Sequence, residues 1–318
     1  LFDCVLGGGY ARGRVVNIVG DKSTGKTLLA IEAAANYAQQ FPNDPIWYNE
    51  VESAFDPDYA GRLGLPLSRT TFVDGCFTVE DVFEDISKKI KENASGLYII
   101  DSLDALSDRA EQKSDDPSAG FGVGKAKALS QMFRRLIQEL EHTDITLFII
   151  SQIRDKIGVT FGTKYSRSGG RALDFYASQI VYLSQLGVLT RTISKVKRAI
   201  GVRIKAKCTK NKVGLPFREA EMPILFLYGI DDMSACLDWL EETAALSRIV
   251  QFGSTRKAIE STLASLTIDA EIAAAAAVIH EAVLTHWHEI ETDFAPTRRK
   301  YAQSDAGADI QDSAEVVS

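Results

Sequence analysis

A chain of 318 residues, 45% hydrophobic and 25% charged, is long enough for one large α/β domain and a smaller one, and its composition excludes disordered and fibrous classes. No apolar run reaches membrane-spanning length and no signal peptide is visible, and the widely spaced cysteines fit a reducing cytoplasm. Four cysteines without a CxxC pair (Cys4, Cys76, Cys208, Cys236) indicate neither a zinc site nor a disulfide framework. The formal net charge of −7 argues against a polyanionic partner, but its distribution reverses that: residues 154–218 carry fifteen Lys/Arg against only Asp155 and Asp174.

Residues 1–14, with Gly7, Gly8, Gly9 and Gly13, read as a turn leading into an apolar strand around Val15, Val16, Ile18 and Val19. GDKSTGKT follows at 20–27: Gly20, Asp21, Lys22, Ser23, Thr24, Gly25, Lys26 and Thr27. This is GxxxxGK[ST] between a strand and a helix predicted over 27–40, the context a phosphate-binding loop requires. The glycines let backbone N–H groups wrap a polyphosphate at a helix N-terminus. Lys26 reaches the β/γ-phosphates, and the Thr27 hydroxyl is a ligand for Mg²⁺. The motif predicts a nucleoside triphosphate ligand.

A short buried strand at 46–48 delivers Glu50 and Glu52 beyond its carboxyl end, where a carboxylate can orient the water that attacks a γ-phosphate. A solvated surface acid is the alternative. Asp56 with Pro57 opens a helix, and Tyr59 either stacks on a base or packs. A helix is predicted over 79–92. LYIIDS at 97–102 ends a buried strand in Asp101, placed to hold the Mg²⁺ shell. Residues 108–124 are polar and Gly-rich and read as a mobile loop. Over 125–141, Leu129, Met132, Phe133, Leu136, Ile137 and Leu140 fall at helical spacing as a core stripe, which leaves Lys127 and Arg134 available to an anion.

The strand 145–150 ends in Ser151 and Gln152, where an amide can sense the γ-phosphate. Directly after it comes a basic, Gly-rich segment with no core pattern, suited to ordering against a phosphate backbone. Val202, Ile204, Ala206 and Cys208 alternate with Arg203, Lys205 and Lys207, and Lys210 and Lys212 lead into a turn. The strand containing Pro223 is of edge type. Residues 272–287 are Ala-rich and helical, and 304–318 form an acidic tail, disordered by composition, that either solvates the terminus or competes with nucleic acid for the basic loops.

These residues resemble a RecA-type homologous recombinase of phage or divergent bacterial type over about residues 1–240. The signatures are 20–27, ESAFDPDYA at 52–60, IIDSLDAL at 99–106, QIRDKIGVTFG at 152–162, GGRALDFYAS at 169–178 and KNKVGLPF at 210–217. The resemblance implies an α/β fold: a RecA-like P-loop ATPase core with a mostly parallel twisted sheet flanked by helices, over 1–240. A small α-rich C-terminal domain at 241–303 and the tail at 304–318 complete the expected organisation. It implies ATP and Mg²⁺ as cofactors. Glu52 activates water, and Asp56 and Tyr59 contact adenine. Asp101 and Thr27 serve the metal, and Gln152 links the γ-phosphate to a DNA-binding loop at 154–170 that contains Arg154, Lys156, Arg167, Ser168, Gly169 and Gly170. A first loop lies at about 113–124, near Lys127 and Arg134. Lys210 and Lys212 reach the ATP of the neighbouring subunit, with Phe175 at that interface.

The function implied is ATP-dependent filament formation on single-stranded DNA, pairing with homologous duplex and strand exchange in recombination and repair, with no membrane association. Single-strand-binding and loader proteins are candidate partners. A hexameric RecA-fold helicase or motor, and a non-catalytic ATP-binding regulator, are the alternatives. Three departures stand out. Relatives carry an N-terminal helix and strand that dock on the next subunit, so either residues precede Leu1 or filament assembly is weakened. Ser151 stands where relatives have Asn. The first loop is rich in Asp, Ser and Gly, and beyond residue 245 the resemblance ends.

Overall fold

The computed structural model describes residues 1–52, 55–112, 122–155, 165–167 and 170–297, with side chains throughout except at 122–123, 154–155, 165–167 and 170–171. In chain order the elements are α1 (Phe2–Leu6), β1 (Val15–Gly20), α2 (Lys26–Gln40), β2 (Ile46–Glu50), α3 (Pro57–Arg62), β3 (Thr70–Phe72), α4 (Val79–Glu92) and β4 (Ser95–Asp101). Next come α5 (Arg109–Gln112), α6 (Gly122–Leu140), β5 (Asp144–Asp155), β6 (Tyr165–Arg167), α7 (Gly170–Tyr176), β7 (Gln179–Ile193) and β8 (Val196–Asn211). The chain continues through β9 (Arg218–Leu225), β10 (Gly229–Ile230), α8 (Asp232–Glu242), α9 (Arg256–Ala264) and α10 (Asp269–Phe294).

The strands form one sheet in the order β10-β9-β8-β7-β1-β5-β4-β2-β3, with β6 paired to β5 alone. From β7 across to β3 every pairing is parallel; β7 to β10 are antiparallel. The central strands are buried along their length, as strands covered on both faces must be. Their alternate residues feed two cores. Val16, Ile18, Leu97, Ile99, Phe148 and Ile150 pack on one face with α1, α2, α8 and α10. Val15, Val19, Tyr98, Ile100, Leu147 and Ile149 pack on the other with α4, α6 and α7. The mostly parallel α/β core is therefore as expected.

Local signals place the helices. The Thr78 hydroxyl accepts from the backbone of Asp81 and donates to its carboxylate at 2.6 Å, which starts α4. Asp56 caps α3 through the Tyr59 N–H, with Pro57 at the first position, as the sequence predicts. The β8 alternation also holds: Ile204, Ala206 and Cys208 are buried and the bases between them are not.

Three expectations are corrected. Residues 1–14 are not only a turn, because 2–6 form α1. Its Val5 and Leu6 are fully buried, which outweighs the pull of the glycines that follow. Of the predicted mobile loop at 108–124, residues 109–112 form α5, whose Arg109 pairs with Asp81 and Glu84 of α4, and 122–124 belong to α6, while 113–121 lie outside the described residues. Within 154–170, read as a loop without a core pattern, 165–167 form β6, which pairs antiparallel with the end of β5, and Gly170 starts α7; 156–164 and 168–169 lie outside the described residues. Pro223 does lie near an edge, since β10 covers only Ile224 and Leu225 beyond it. Residues 304–318 lie outside the described residues.

Candidate nucleotide site

Strand register sets the site. Gly20 at the end of β1 lies beside Gln152 of β5, and Glu50 at the end of β2 lies beside Asp101 of β4. The carboxyl ends of four parallel strands thus present their terminal residues on one edge, where open α/β sheets bind ligands. A cavity of ≈ 330 Å³ opens there, lined by residues 22–28, Glu52, Asp101, Ser102, Ile150 and Gln152.

Between β1 and α2 the loop takes the cradle conformation. Ser23 and Gly25 have φ of 58° and 87°, both left-handed. A Cβ on Gly20 would lie 2.5 Å from the Thr24 hydroxyl and 3.1 Å from the Leu183 carbonyl. The close backbone approach therefore depends on glycine. The Thr24 hydroxyl and the Lys26 ammonium both donate to the Asp21 carbonyl, at 2.9 and 2.7 Å, and Asp21 itself accepts the Lys22 N–H. Burial pushes the Lys26 ammonium below its usual range, and the nearby carboxylates of Asp101 and Glu52 oppose that shift.

Asp101 is buried beside the loop. Desolvation raises its pKa to about 6, against the hydrogen bonds it accepts from Thr27 and from the Tyr48 hydroxyl (3.0 Å), and Glu52 and Glu50 add to the rise. A buried carboxyl next to a threonine hydroxyl, both facing a phosphate cradle, is a hard oxygen donor set that fits Mg²⁺. The cation would relieve the desolvation that holds Asp101 up.

Two positioning residues were not given roles by sequence reasoning. The Ser102 hydroxyl donates to Glu52 Oε1 at 2.6 Å and so sets the direction of that exposed carboxylate. Asp104 is buried; its Oδ2 accepts the Gln152 N–H at 2.6 Å, and its carbonyl accepts the Lys125 ammonium at 3.0 Å. It thereby ties β4, β5 and α6 together behind the cavity. Both lie in the stretch 99–106, but only the sheet order brings them to Glu52 and Gln152. The substitution noted at Ser151 also has a structural counterpart: the buried Asn17 amide of β1 donates to Ser151 Oγ at 2.8 Å and to the Ile149 carbonyl at 3.0 Å.

Other predicted residues lie elsewhere. Asp56, the cap of α3, and Tyr59 on that helix do not line the cavity; Tyr59 packs partly against the core. Lys210 of β8 reaches the carbonyls of Asp174 and Phe175 at 2.5 and 2.8 Å, and the Lys212 N–H bonds to Ser178. Phe175 is 70% exposed. Thus Lys210, Lys212 and Phe175 cluster at the end of α7, apart from this chain's own cavity. Lys127 and Arg134 are exposed on α6. Arg154 is the penultimate residue of β5, Arg167 ends β6 and Gly170 begins α7, while Lys156, Ser168, Gly169 and most of the first loop lie outside the described residues. Sequence reasoning also missed the long β7–β8 hairpin, whose tip exposes Arg191, Lys195, Lys197 and Arg198.

The fold and this cavity define a phosphate-binding-loop protein with acids and the Gln152 amide at the strand ends on one edge. The RecA N-terminal domain matches residues 1–231. The RecA proteins of Nostoc sp. and Arthrospira platensis are each 35% identical to the chain over 246 residues, covering 77% of it and 67% and 65% of themselves. That of Synechococcus sp. is 36% identical, covering 77% of the chain and 64% of itself. The chain belongs to the RecA family of recombinases and spans about two thirds of the length of these relatives. Among the described residues no helix is long and apolar enough to cross a membrane.

Proposed function

We propose that this chain is an ATP-dependent recombinase: a DNA-dependent ATPase that forms a helical filament on single-stranded DNA and exchanges strands with a homologous duplex. The observation that carries this is one register. Lys26, Thr27, Asp101, Glu52 and Gln152 share a cavity, and the strand that brings Gln152 runs on into the basic segment 154–170. A change at the γ-phosphate is thus one strand away from the DNA-contacting segment.

In this reading residues 20–27 hold the phosphates of ATP through backbone N–H groups and Lys26, while Thr27 and Asp101 hold Mg²⁺. The cation supplies neutralisation of phosphate charge. Glu52, aimed by Ser102, accepts the proton of the attacking water. Gln152 reports the γ-phosphate to Arg154, Lys156, Arg167, Ser168, Gly169 and Gly170, and Lys127 and Arg134 flank the first loop. Asp56 and Tyr59 meet the adenine. Lys210 and Lys212, beside the exposed Phe175, act on the nucleotide of the adjoining subunit; their position away from this chain's own cavity supports a role in trans.

Filter binding of the full chain to single-stranded DNA, with and without a non-hydrolysable ATP analogue, tests the reading, with electron microscopy of the same samples. Nucleotide-dependent retention and helical filaments are expected. Retention indifferent to nucleotide, or closed rings, would overturn it.

A further inference from the structure

Away from the nucleotide cavity, three metal-ligating side chains meet where α8 crosses α10. Asp232 and Cys236 stand four residues apart on one face of α8, and His280 reaches them from α10. Asp232 Oδ2 lies 2.7 Å from His280 Nε2 and 3.8 Å from Cys236 Sγ, and all three ligand atoms fall within 4.8 Å of one another. The groups differ in surroundings. Cys236 is fully buried, whereas the His280 side chain is 50% exposed, so one side of the cluster faces a cavity of ≈ 440 Å³ that Cys4 and Glu32 also line.

We propose that Asp232, Cys236 and His280 form a binding site for a borderline-soft divalent transition metal of the zinc class. One thiolate, one imidazole and one carboxylate are the donors that such an ion takes, and harder cations such as Mg²⁺ do not favour sulfur. Tetrahedral bond lengths place a sulfur and an oxygen ligand ~3.5 Å apart and a nitrogen and an oxygen ligand ~3.3 Å apart. The Sγ to Oδ2 distance is already close to that. His280 has to withdraw from Oδ2 by roughly half an ångström, which its exposed side chain permits. The cavity leaves the fourth position to water. Binding displaces the thiol proton of Cys236 and the proton between His280 and Asp232.

The consequence is a clip. A metal held by two helices joins α10 to the α8 segment that packs on β9, and it shares no residue with the nucleotide cavity.

Titration of the full chain with Co²⁺ in the absence of nucleotide tests the site. One equivalent is expected to bind with a thiolate-to-cobalt charge-transfer band, and Zn²⁺ is expected to displace it and raise the melting temperature. Cys76→Ser should leave the band intact, Cys236→Ser should remove it, and His280→Ala should weaken binding at least tenfold and abolish the Zn²⁺-dependent rise. His280 is half exposed, so that variant decides the matter even where Cys236→Ser does not fold. Cobalt binding without a thiolate band, or a band and melting shift unchanged in His280→Ala, would overturn the proposal.

Discussion

Asp101 shows how burial can hold a carboxyl in its protonated form beside a candidate cation site. Its pKa stands at about 6 in the fold, against ~3.9 in an unfolded chain. A folded pKa raised above the unfolded one means that the native state holds its proton more tightly. The stability this contributes is complete below about pH 4 and is lost as the pH climbs through 6. In the absence of Mg²⁺, Asp101→Asn should therefore melt higher than the parent at pH 8, by an amount on the order of 3 kcal/mol, and the two should converge near pH 4. Mg²⁺-dependent nucleotide affinity should fall on acidification through pH 6 in the parent, because the cation requires the ionised form. Melts at a series of pH values and nucleotide titrations check both. At Glu52 the expectation is different. Glu52→Gln keeps an oxygen for the Ser102 hydroxyl, so nucleotide affinity should persist while single-stranded-DNA-stimulated ATP hydrolysis drops about 100-fold or more.

At the scale of elements, the loop between β1 and α2 is held by the neighbour it nearly touches. Gly20 abuts the Leu183 carbonyl of β7, so Gly20→Ala meets backbone as well as the Thr24 hydroxyl. The variant should lose about 1–3 kcal/mol in denaturant melts and most of its nucleotide binding. The β8–β9 pair has a similar dependence at Gly201, where a Cβ would stand 2.1 Å from the Ile224 carbonyl. The turn at Gly20 was evident from its motif. The contact with Leu183 was not, because β7 reaches β1 only after the chain has passed through β5 and α7.

Over the whole molecule, charge and core are distributed in ways a linear reading misplaces. Of the fifteen bases in 154–218, Arg203 pairs with Asp238, Lys205 and Lys207 with Glu219, and Arg218 with Glu291 of α10. Lys205 and Lys207 tie β8 to β9, while Arg203 and Arg218 tie the sheet to α8 and α10, so their charge is compensated within the fold. The hairpin bases at 191, 195, 197 and 198 remain exposed. Replacing Lys197 and Arg198 together by Glu should reduce the slope of log affinity for DNA against log salt by about 2, whereas Lys205→Ala should leave that slope unchanged. Salt-dependent binding isotherms separate the two. The core extends likewise. Ile259, Ile279 and Val283 of α9 and α10 are buried in the same cluster as Phe148 of β5. Ile279→Ala and Phe148→Ala should therefore each lower one shared unfolding transition in calorimetry, the first by about 2–5 kcal/mol.

What the chain alone made legible is chemistry that sits in consecutive residues. The phosphate loop at 20–27, the aspartate ending a buried strand, the cap at Asp56 and the alternation of β8 depend on local φ/ψ, on period-two or period-3.6 burial and on hydrogen bonds a few residues long. Wherever the partner comes from a distant segment, only the tertiary structure decided the outcome. Ser102 reaches Glu52, Asp104 reaches Gln152, Glu219 neutralises Lys205 and Lys207, and His280 meets Cys236, because sheet order and helix packing bring together residues whose spacing in sequence carries no signal. Side-chain hydrogen bonds and ion pairs act over a few ångströms, and the order of strands in the sheet settles which groups come within that range.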